Sequence, residues 1–598
     1  MLGGSLGRYG CALVASAGLC VGECAHGQAT AIDAPVRERG EAPSATFGTF
    51  ESAAVAADHP VASVAGAEVL RMGGNAVDAA VAVSFALSVV RPESCGIGGG
   101  GFMLIHLKND PRYGTMTTAL NYREMCPGAI GRDFYTRPEN SGADASTRGG
   151  KAVAVPGTVA GLLYAHEKYG RLSREKVMAP AIRAARDGFA VDVHMVESVQ
   201  SAQRLIEKQA GRRERFGGLW TRICKDGALR VGDVLTLEGQ AKALELIAKR
   251  GAGVFYFGEL GEAMVDCVHA DGGVLTMADL GAYRVVEVQP LEVTYRGRKV
   301  YCMPPPSSGG IALAQTLGIL ERRTPSLDTF KAGSADAIHL EAEAMKHAFA
   351  DRARWLGDPD FAAIPVERLL SHRYLAARAS QIDMTRTRAL ESYGTSPGSR
   401  EGIVEDGGTS HFSVIDSDGS AVACTETINL EFGSMLVVDG FDFPLNNQMD
   451  DFLTRPGEPN AFGLTQSERN LPEPGKRPLS SMSPTIVLDP DGNVEIVVGA
   501  SGGPRIISAT VQAALNVMAF GMDAKEATGS GRVHTQWMPE TLWLEKDLQD
   551  EGVMEELKRR GHVLGTKAPQ AACQILRRTA RGIEAACDPR KGGSPAGY

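Results

Sequence analysis

The chain has 598 residues, of which 43% are hydrophobic and 22% are charged, and its formal net charge is −9. This composition is ordinary for a soluble globular protein, and the acidic balance argues against nucleic acid or an anionic membrane as the main partner. The length allows several domains or one large α/β unit.

The first residues have the features of a secretory signal. Arg8 precedes a short apolar stretch from Cys11 to Val21, and Gly27-Gln28-Ala29 is a small-x-small cleavage pattern. We interpret residues 1–29 as a signal peptide, with a disordered leader as the alternative. The apolar stretch is too short for a transmembrane helix. We therefore expect a periplasmic or secreted protein without stable membrane insertion.

The number of cysteines in the mature protein depends on removal of that signal. The sequence contains 11 of them, and Cys11, Cys20 and Cys24 would leave with the signal. The others lack the paired spacing that is typical of zinc sites. Cys573 and Cys587 flank a predicted final hairpin and are candidates for a disulfide in an oxidising compartment, with isolated core thiols as the default.

The rest of the chain divides by pattern into two parts. Residues 30–384 alternate helical patterns with short strands, and residues 409–598 are richer in strand signals. Between them, Thr385–Gly408 is polar and rich in Gly and Ser, as expected of a linker. The individual elements that the spacing predicts are helices at 75–90 (buried), 152–169, 335–355, 506–521 and 549–561, and a strand at 299–303.

A glycine-rich run at Gly96–Gly101 satisfies the dinucleotide-binding pattern GxGxxG. That motif requires a strand before it and a helix after it. Here a helix precedes the run and Phe102–Leu107 is predicted as a strand. We therefore predict a close-packed turn and no nucleotide site.

The most informative position is Thr409, which follows Gly407-Gly408 and opens a predicted strand. If the peptide bond between Gly408 and Thr409 is cut, the threonine gains a free α-amine beside its own hydroxyl. With a reference pKa near ~8, this amine is partly neutral at neutral pH and can accept the hydroxyl proton. A loop that simply enters a strand is the alternative interpretation.

A predicted hairpin brings polar side chains to this threonine. The strand at 410–416 is followed by Ser417-Asp418-Gly419 and a second apolar run, and glycine at this place suits a hairpin loop. Thr427 should therefore lie opposite Thr409, within one residue if there is a bulge, with Asn429 two residues further on the same face. Cross-strand threonine pairs also occur for structural reasons alone.

A second predicted hairpin, 484–488 with 494–499, carries Ser480-Ser481 before its first strand and Gly502-Gly503 after its second, and the strand pairing is expected to place them side by side. Paired serines can hold a carboxylate, and successive glycine N–H groups can form an oxyanion pocket. A tight turn into the following helix is the alternative interpretation of the two glycines.

Together these segments resemble the γ-glutamyltransferase (γ-glutamyl transpeptidase) family of N-terminal-nucleophile hydrolases. The resemblance runs from His59-Pro60 to the last residue. The segments that carry it, besides Gly408-Thr409, are Gly73–Ala80, Gly96–Gly100, Asn121–Met125, Ala154–Gly161, Met303–Gly310, Thr427–Asn429, Asn446–Phe452, Pro478–Pro484 and Asp588–Tyr598.

The resemblance implies an α+β fold, a four-layer αββα sandwich of two sheets between helical layers. A large subunit (30–408, of which 385–408 is a linker tail) and a small catalytic subunit (409–598) would build it jointly after autoproteolysis. Because both would supply strands to the sheets, we expect the fragments to stay together as a heterodimer.

The resemblance also implies the substrate and the residues that hold it. The donor would be a small γ-glutamyl compound such as glutathione, and the acceptor water or the amine of an amino acid or dipeptide. Arg123 would bind the α-carboxylate, although without the resemblance a surface ion pair with Glu124 is the simpler interpretation. The other predicted contacts are Ser480 and Ser481 to the carboxylate, and Asn429, Gln448 and Asp451 to the α-ammonium.

The implied catalytic residues are Thr409 as nucleophile, Thr427 to orient it, and the N–H groups of Gly502 and Gly503 as oxyanion donors. No metal or organic cofactor is required. The segment Pro456–Leu464 resembles the lid loop of bacterial members, with Phe462 at a place where some members have tyrosine.

Three alternatives are considered. A glutaryl-cephalosporin acylase of the same superfamily has less use for Asn429, Gln448 and Asp451, because glutaryl lacks the α-ammonium. A poly-γ-glutamate depolymerase requires an open groove, which the lid segment disfavours. A non-catalytic binding relative is disfavoured by the intact Gly408-Thr409 and by Thr427.

Overall fold

The computed structural model describes residues 45–324, 327–394, 407–565 and 571–598. The predicted signal peptide (1–29) and half of the predicted linker (395–406 of 385–408) lie outside these ranges. None of the helices within them combines the length and apolar character needed to cross a bilayer.

Two seven-stranded antiparallel sheets form the centre of the molecule. One has the order β1-β18-β17-β13-β12-β9-β8, and the other has the order β19-β2-β10-β11-β3-β4-β7. The strands of the described residues are β1 (Phe47–Phe50), β2 (Ala54–Ala57), β3 (Gly100–Asp110), β4 (Gly114–Tyr122), β5 (Phe189–Ala190), β6 (Val234–Leu235), β7 (Val286–Val288), β8 (Leu291–Tyr295), β9 (Arg298–Cys302), β10 (Gly407–Ile415), β11 (Ala421–Leu430), β12 (Thr485–Leu488), β13 (Val494–Ser501), β14 (Val533–His534), β15 (Leu542–Leu544), β16 (Leu564–Gly565), β17 (Ala572–Thr579), β18 (Gly582–Cys587) and β19 (Ala596–Gly597).

Helices cover the outer faces of both sheets. α1, α2 and α3 pack against the sheet that contains β10, and α11, α15 and α16 pack against the other sheet. The helices of the described residues are α1 (Pro60–Arg71), α2 (Ala76–Val90), α3 (Thr158–Tyr169), α4 (Arg174–Asp187), α5 (Val193–Glu207), α6 (Arg212–Arg215), α7 (Glu238–Arg250), α8 (Gly253–Tyr256), α9 (Glu259–Ala270), α10 (Met277–Ala282), α11 (Gly309–Arg323), α12 (Ala335–Trp355), α13 (Val366–Leu370), α14 (His372–Gln381), α15 (Arg505–Met518), α16 (Ala524–Gly529) and α17 (Glu551–Arg559).

The central strands are buried on both faces, which is what a four-layer arrangement requires. On β11, Val422 and Cys424 belong to the apolar cluster that includes α2, whereas Ala421 and Ala423 belong to the cluster between the sheets. The fold is therefore the αββα sandwich of the N-terminal-nucleophile hydrolases, as the resemblance implied.

Most of the predicted elements are confirmed. α12 spans Ala335–Trp355, and α2 spans Ala76–Val90 with Asn75 as its N-cap and every residue buried. The helix predicted from residue 152 begins instead at Thr158, since Pro156 has no N–H to donate and only a single 3₁₀ turn forms at Gly150–Ala152.

The glycine-rich run forms the predicted close-packed turn between α2 and β3. A Cβ atom on Gly99 would lie 2.2 Å from the carbonyl oxygen of Thr427, and one on Gly98 would lie 2.3 Å from that of Pro444. The glycines are therefore required because two other segments approach their backbone closely.

The candidate disulfide between Cys573 and Cys587 does not form, and both are free buried thiols. They do lie on the predicted hairpin, β17–β18, but Cys587 is paired with Gln574. Because successive side chains of a strand point to opposite faces, Cys573 is directed away from Cys587.

Each sheet contains strands from the part of the chain before Thr409 and strands from the part after it. In one sheet β18, β17, β13 and β12 lie between β1 and β9, and in the other β10 and β11 lie between β2 and β3. Because every one of these boundaries is a hydrogen-bonded strand pair, we predict that cleavage before Thr409 leaves the fragments associated. Size-exclusion chromatography should give one peak that separates into two bands only in denaturant, and two separate native peaks would contradict this.

Candidate active site

The hairpin β10–β11 sets the geometry of the site. Its register places Thr409 opposite Thr427 and Gly408 opposite Asn429, with a bulge between Gly408 and Thr409. The register and the bulge agree with the sequence prediction. Both threonines are 3% exposed, so their hydroxyls are held in place by protein contacts.

Hydrogen bonds join the two threonines to the peptide bond that precedes Thr409. The hydroxyl of Thr427 donates to the carbonyl oxygen of Gly408 at 2.5 Å, and its oxygen accepts the N–H of Asn429 at 2.8 Å. The hydroxyl oxygens of Thr409 and Thr427 are 3.1 Å apart. Since the single proton of the Thr427 hydroxyl is directed to Gly408, the proton between the two hydroxyls comes from Thr409.

A second group contains a buried ion pair. The Arg123 guanidinium donates to a carboxylate oxygen of Asp451, and Gln448 donates its amide N–H to the same oxygen at 2.7 Å. Arg123 is 1% exposed, and the nearest carboxylate oxygen of Glu124 is 3.7 Å away. The surface pair between Arg123 and Glu124 that was the alternative prediction is therefore wrong, because the arginine is buried and Asp451 is its closer partner.

The remaining predicted contact residues are Asn429, near the end of β11, and the two serines that precede β12. Asn429 has a positive φ of 82° and donates its side-chain N–H to the carbonyl of Asn447 at 3.1 Å. Ser480 bonds to the Pro306–Ser308 segment through its backbone, and its hydroxyl accepts the N–H of Met482 at 3.1 Å. Ser481 accepts a hydrogen bond from the Ser483 hydroxyl through its carbonyl oxygen at 2.9 Å. These hydrogen bonds hold Ser480 and Ser481 in local turns, whereas the backbone N–H of Asn429 donates to the Thr427 hydroxyl.

The two glycines precede α15. Gly502 and Gly503 have φ angles of 124° and 57°, which favour glycine. A Cβ on Gly407 would lie 2.9 Å from the amide nitrogen of Gly503, so this N–H lies beside the segment that carries the Gly408–Thr409 bond. The tight turn that was the alternative interpretation is present, and Gly503 lies beside Gly407, two residues before Thr409.

The lid segment lies over this part of the site. Phe462 is 4% exposed, and its ring would be 2.8 Å from a Cβ on Gly503 and 3.3 Å from one on Gly407. Gln536, which the sequence did not single out, donates to the carbonyl oxygen of Phe462 at 3.2 Å. Asn460 of the lid donates to Asp451 at 3.4 Å. The lid segment therefore contacts the backbone of Gly407 and Gly503 and also Asp451 of the Arg123–Asp451 pair.

Sequence reasoning missed a buried ion pair beside Thr409, the predicted nucleophile. Lys591 donates to the backbone carbonyl of Thr409, and its ammonium is 2.7 Å from a carboxylate oxygen of Asp58. Lys591 lies within the segment Asp588–Tyr598 that carries the resemblance, and Asp58 immediately precedes His59-Pro60. Nothing local marks them as partners, because they are far apart in sequence.

One described cluster has the side chains of a metal site, namely His339, Glu343 and His562. His339 Nδ1 is 2.8 Å from His562 Nε2, and Glu343 pairs with Lys346 at 3.0 Å and accepts the Tyr393 hydroxyl. The Glu343 carboxylate is therefore already bonded to Lys346 and Tyr393, and the cluster is a buried hydrogen-bonded network.

Several carboxyl groups near the site are buried, and the loss of hydration outweighs the contacts that would favour their ionised forms. Burial raises the pKa of Glu124 to about 7, against a smaller lowering by Arg123, and burial likewise raises the pKa of Glu93 and of Glu426 to about 7. Among the described residues, neither carboxyl oxygen of Glu124 or of Glu93 has a hydrogen-bond partner. These groups change charge near neutral pH.

Glu124 gives a pH-dependent prediction for stability. Because its folded pKa is raised, its favourable contribution is complete below the unfolded pKa and is lost as the pH rises through about 7. We expect Glu124→Gln to gain about 1–3 kcal/mol in unfolding free energy relative to wild type between pH 5 and pH 8. Urea unfolding at both pH values measures it. The exposed Glu207→Gln should show no such gain, and an equal difference at both pH values would contradict the assignment.

The comparisons with known proteins agree with this geometry. The family model described as Gamma-glutamyltranspeptidase matches residues 62–598. The glutathione hydrolase proenzyme of Escherichia coli (strain K12) is 40% identical over 540 residues, which is 90% of this chain and 90% of that protein. The protein of the same name from Pseudomonas aeruginosa is 40% identical over 551 residues, 92% of this chain and 95% of its own.

Solved structures show the same fold. Cephalosporin acylase from Bacillus halodurans aligns with a TM-score of 0.78 at 25% identity, covering 95% of this chain and 99% of that chain. Gamma-glutamyltranspeptidase from Pseudomonas nitroreducens, complexed with L-DON, aligns with a TM-score of 0.51 at 37% identity, covering 56% of this chain and 96% of that chain. The family match across almost the whole described chain is decisive: this protein belongs to the γ-glutamyltranspeptidase family.

Proposed function

We propose that this protein is a self-cleaving γ-glutamyltransferase with glutathione hydrolase activity. The observation that carries the proposal is the position of Thr409. It is the third residue of the central strand β10, its hydroxyl lies 3.1 Å from that of Thr427, and Thr427 donates to the Gly408 carbonyl. The relatives named glutathione hydrolase proenzyme support the same activity.

The first reaction is cleavage of the chain itself. The Thr409 hydroxyl attacks the carbonyl carbon of Gly408, and the hydrogen bond from Thr427 stabilises the negative charge that develops on the carbonyl oxygen. The Gly408–Thr409 C–N bond breaks, the acyl group moves to the threonine oxygen, and water hydrolyses the ester. The products are a large subunit that ends at Gly408 and a small subunit, 409–598, whose first residue carries a free α-amine.

The second reaction is turnover of substrate. The α-amine of Thr409 accepts the hydroxyl proton while the oxygen attacks the γ-carbonyl of the donor. In this proposal the N–H groups of Gly502 and Gly503 stabilise the oxyanion, a type of contact whose loss costs about 3–4 kcal/mol. The leaving amine takes the proton. Water or an acceptor amine then resolves the γ-glutamyl ester.

Substrate recognition follows from the Arg123–Asp451 pair. A γ-glutamyl donor carries an α-carboxylate and an α-ammonium on one carbon, and the pair offers the complementary charges side by side. We assign the carboxylate to Arg123, with Ser480 and Ser481, and the ammonium to Asp451, with Gln448 and Asn429. The substrate's two charges would replace the partners that Arg123 and Asp451 now provide for each other.

A cephalosporin acylase is the competing function, since a structure of that name shares the fold. A glutaryl group has no ammonium, and it would bind Arg123 while leaving the partly buried Asp451, 12% exposed, without a cation. That cost favours γ-glutamyl donors. The closed lid over Gly503 disfavours an open groove for a poly-γ-glutamate chain.

We further propose that residues 1–29 direct the protein to the periplasm or outside the cell, and that the subunits act as a heterodimer.

The donor is tested with γ-glutamyl-p-nitroanilide and glutaryl-p-nitroanilide, each with and without glycylglycine. We expect p-nitroaniline release from the γ-glutamyl compound, at least tenfold faster than from the glutaryl compound, because only the former satisfies Asp451. Acceleration by the dipeptide would establish transfer in addition to hydrolysis. Release from the glutaryl compound alone would overturn the choice of substrate.

Self-cleavage is tested with two hydroxyl variants. Thr409→Ala should remain a single inactive chain, because it lacks the attacking oxygen. Thr427→Val should cleave about 10²–10³-fold more slowly, because it loses one oxyanion donor to Gly408. Denaturing gels over time measure both, with Thr425→Val on the same strand as a control that cleaves normally. Two bands from Thr409→Ala would disprove autoproteolysis at this bond.

A further inference from the structure

The buried ion pair of Lys591 and Asp58 lies directly against the nucleophile and has no part in the proposed chemistry. The ammonium of Lys591 contacts the Thr409 carbonyl oxygen and is 3.4 Å from the Ser501 hydroxyl. It is 2.7 Å from Asp58, and the two side chains are 6% and 0% exposed. A buried cation is therefore held at the first residue of the future small subunit.

The pair is fixed from several directions. Asp58 follows β2, and its second carboxylate oxygen accepts the Gln574 amide at 2.5 Å. Arg91 donates to the backbone carbonyls of Asp58 and Lys591, each at 2.9 Å. The C-terminal strand β19 pairs with β2, which ties the segment of Lys591 to the same sheet edge. The cation thus has little freedom to move away from Thr409.

This position matters once the chain is cut. The new α-amine of Thr409 is two bonds from the carbonyl carbon whose oxygen accepts the lysine N–H. The ammonium of Lys591 therefore lies roughly 6 Å or less from the amine. A like charge at this range disfavours the protonated amine, and the Asp58 carboxylate, 2.7 Å from the lysine ammonium, opposes that effect in part.

We propose that Lys591 is a positioning residue for the nucleophile: it fixes the Thr409 main chain and keeps the α-amine in its neutral, proton-accepting form, with Asp58 setting how strongly it does so. The inference rests on the proposed function, in which that amine is the general base. It assigns a role in the reaction to two residues contributed by opposite ends of the described chain.

Other ionisable groups face the same region, and one of them, Arg91, also donates to the backbone carbonyls of the pair. Arg91 is bound by Asp192, and His194 lies 3.7 Å from Glu93. Glu426 precedes Thr427 and is hydrogen-bonded to Ser84 and Tyr122 on its other face, and Cys95 is buried nearby. Glu93, with a pKa raised by burial to about 7, titrates in the range of interest and requires its own control.

The test is the pH dependence of kcat/KM for γ-glutamyl-p-nitroanilide, whose acid limb reports the free enzyme's base. Lys591→Met should move that limb up by about one unit, since the cation is lost and the Asp58 carboxylate remains. Asp58→Asn should move it down, by about half a unit or more, because the cation is no longer balanced. Lys591→Arg should leave it in place. A purely structural role would lower activity without opposite shifts.

The controls are Lys346→Met, which disrupts a comparably buried pair with Glu343, and Glu93→Gln. Neither should move the acid limb, and a shift in Glu93→Gln as large as that in Lys591→Met would assign the limb to Glu93 and overturn the proposal. If Lys591→Met does not self-cleave, the proposal is judged by the shift of the acid limb in Asp58→Asn. If neither variant self-cleaves, the pair is needed for folding or for scission, and the proposal is overturned. A wild type that releases no p-nitroaniline would refute the proposed function, whereas an active wild type with unmoved limbs refutes this inference alone.

Discussion

The register of the β10–β11 hairpin is the constraint on which the site depends. It pairs Thr409 with Thr427 and inserts a bulge directly before Thr409, so that the Thr427 hydroxyl reaches the Gly408 carbonyl. A slip of one residue would turn every side chain of the strand to the opposite face. The close approach of Gly99 to the Thr427 carbonyl and the burial of both strand faces hold this register.

Around that hairpin the protein concentrates buried charge, which is costly unless it is paired. Arg123 and Asp451 neutralise each other in the free protein, and so do Lys591 and Asp58. The first pair is complementary to a zwitterionic amino-acid group, which makes an ordered, closed site compatible with a small polar substrate. The second pair places a positive charge at the nucleophile without exposing it to water.

Local signals explain what the sequence could predict. Asp418-Gly419 marks the hairpin turn, so counting from it gave the Thr409–Thr427 pairing correctly. A long uninterrupted pattern gave α12 with its observed ends, whereas Pro156 moved the start of α3 to Thr158. The resemblance to a known family supplied the Arg123 and Asp451 roles, which no local pattern around either residue indicates.

What the sequence could not predict depends on tertiary contacts. Lys591 and Asp58 meet only because β19 pairs with β2, and Gln536 meets Phe462 only when the lid has folded over the site. The Cys573–Cys587 disulfide was plausible from position, but it fails on the side-chain alternation that the β17–β18 register fixes. Such pairings follow from strand order, which composition and spacing do not determine.

The central claim is that cleavage creates a nucleophile at Thr409 that becomes acylated during turnover. Its most direct test is mass spectrometry of protein quenched while it consumes γ-glutamyl-p-nitroanilide. The account predicts one γ-glutamyl group on the fragment that begins at Thr409, attached to that residue in the peptide map. A γ-glutamyl adduct on another residue, or an uncut chain that still turns over the substrate, would contradict it.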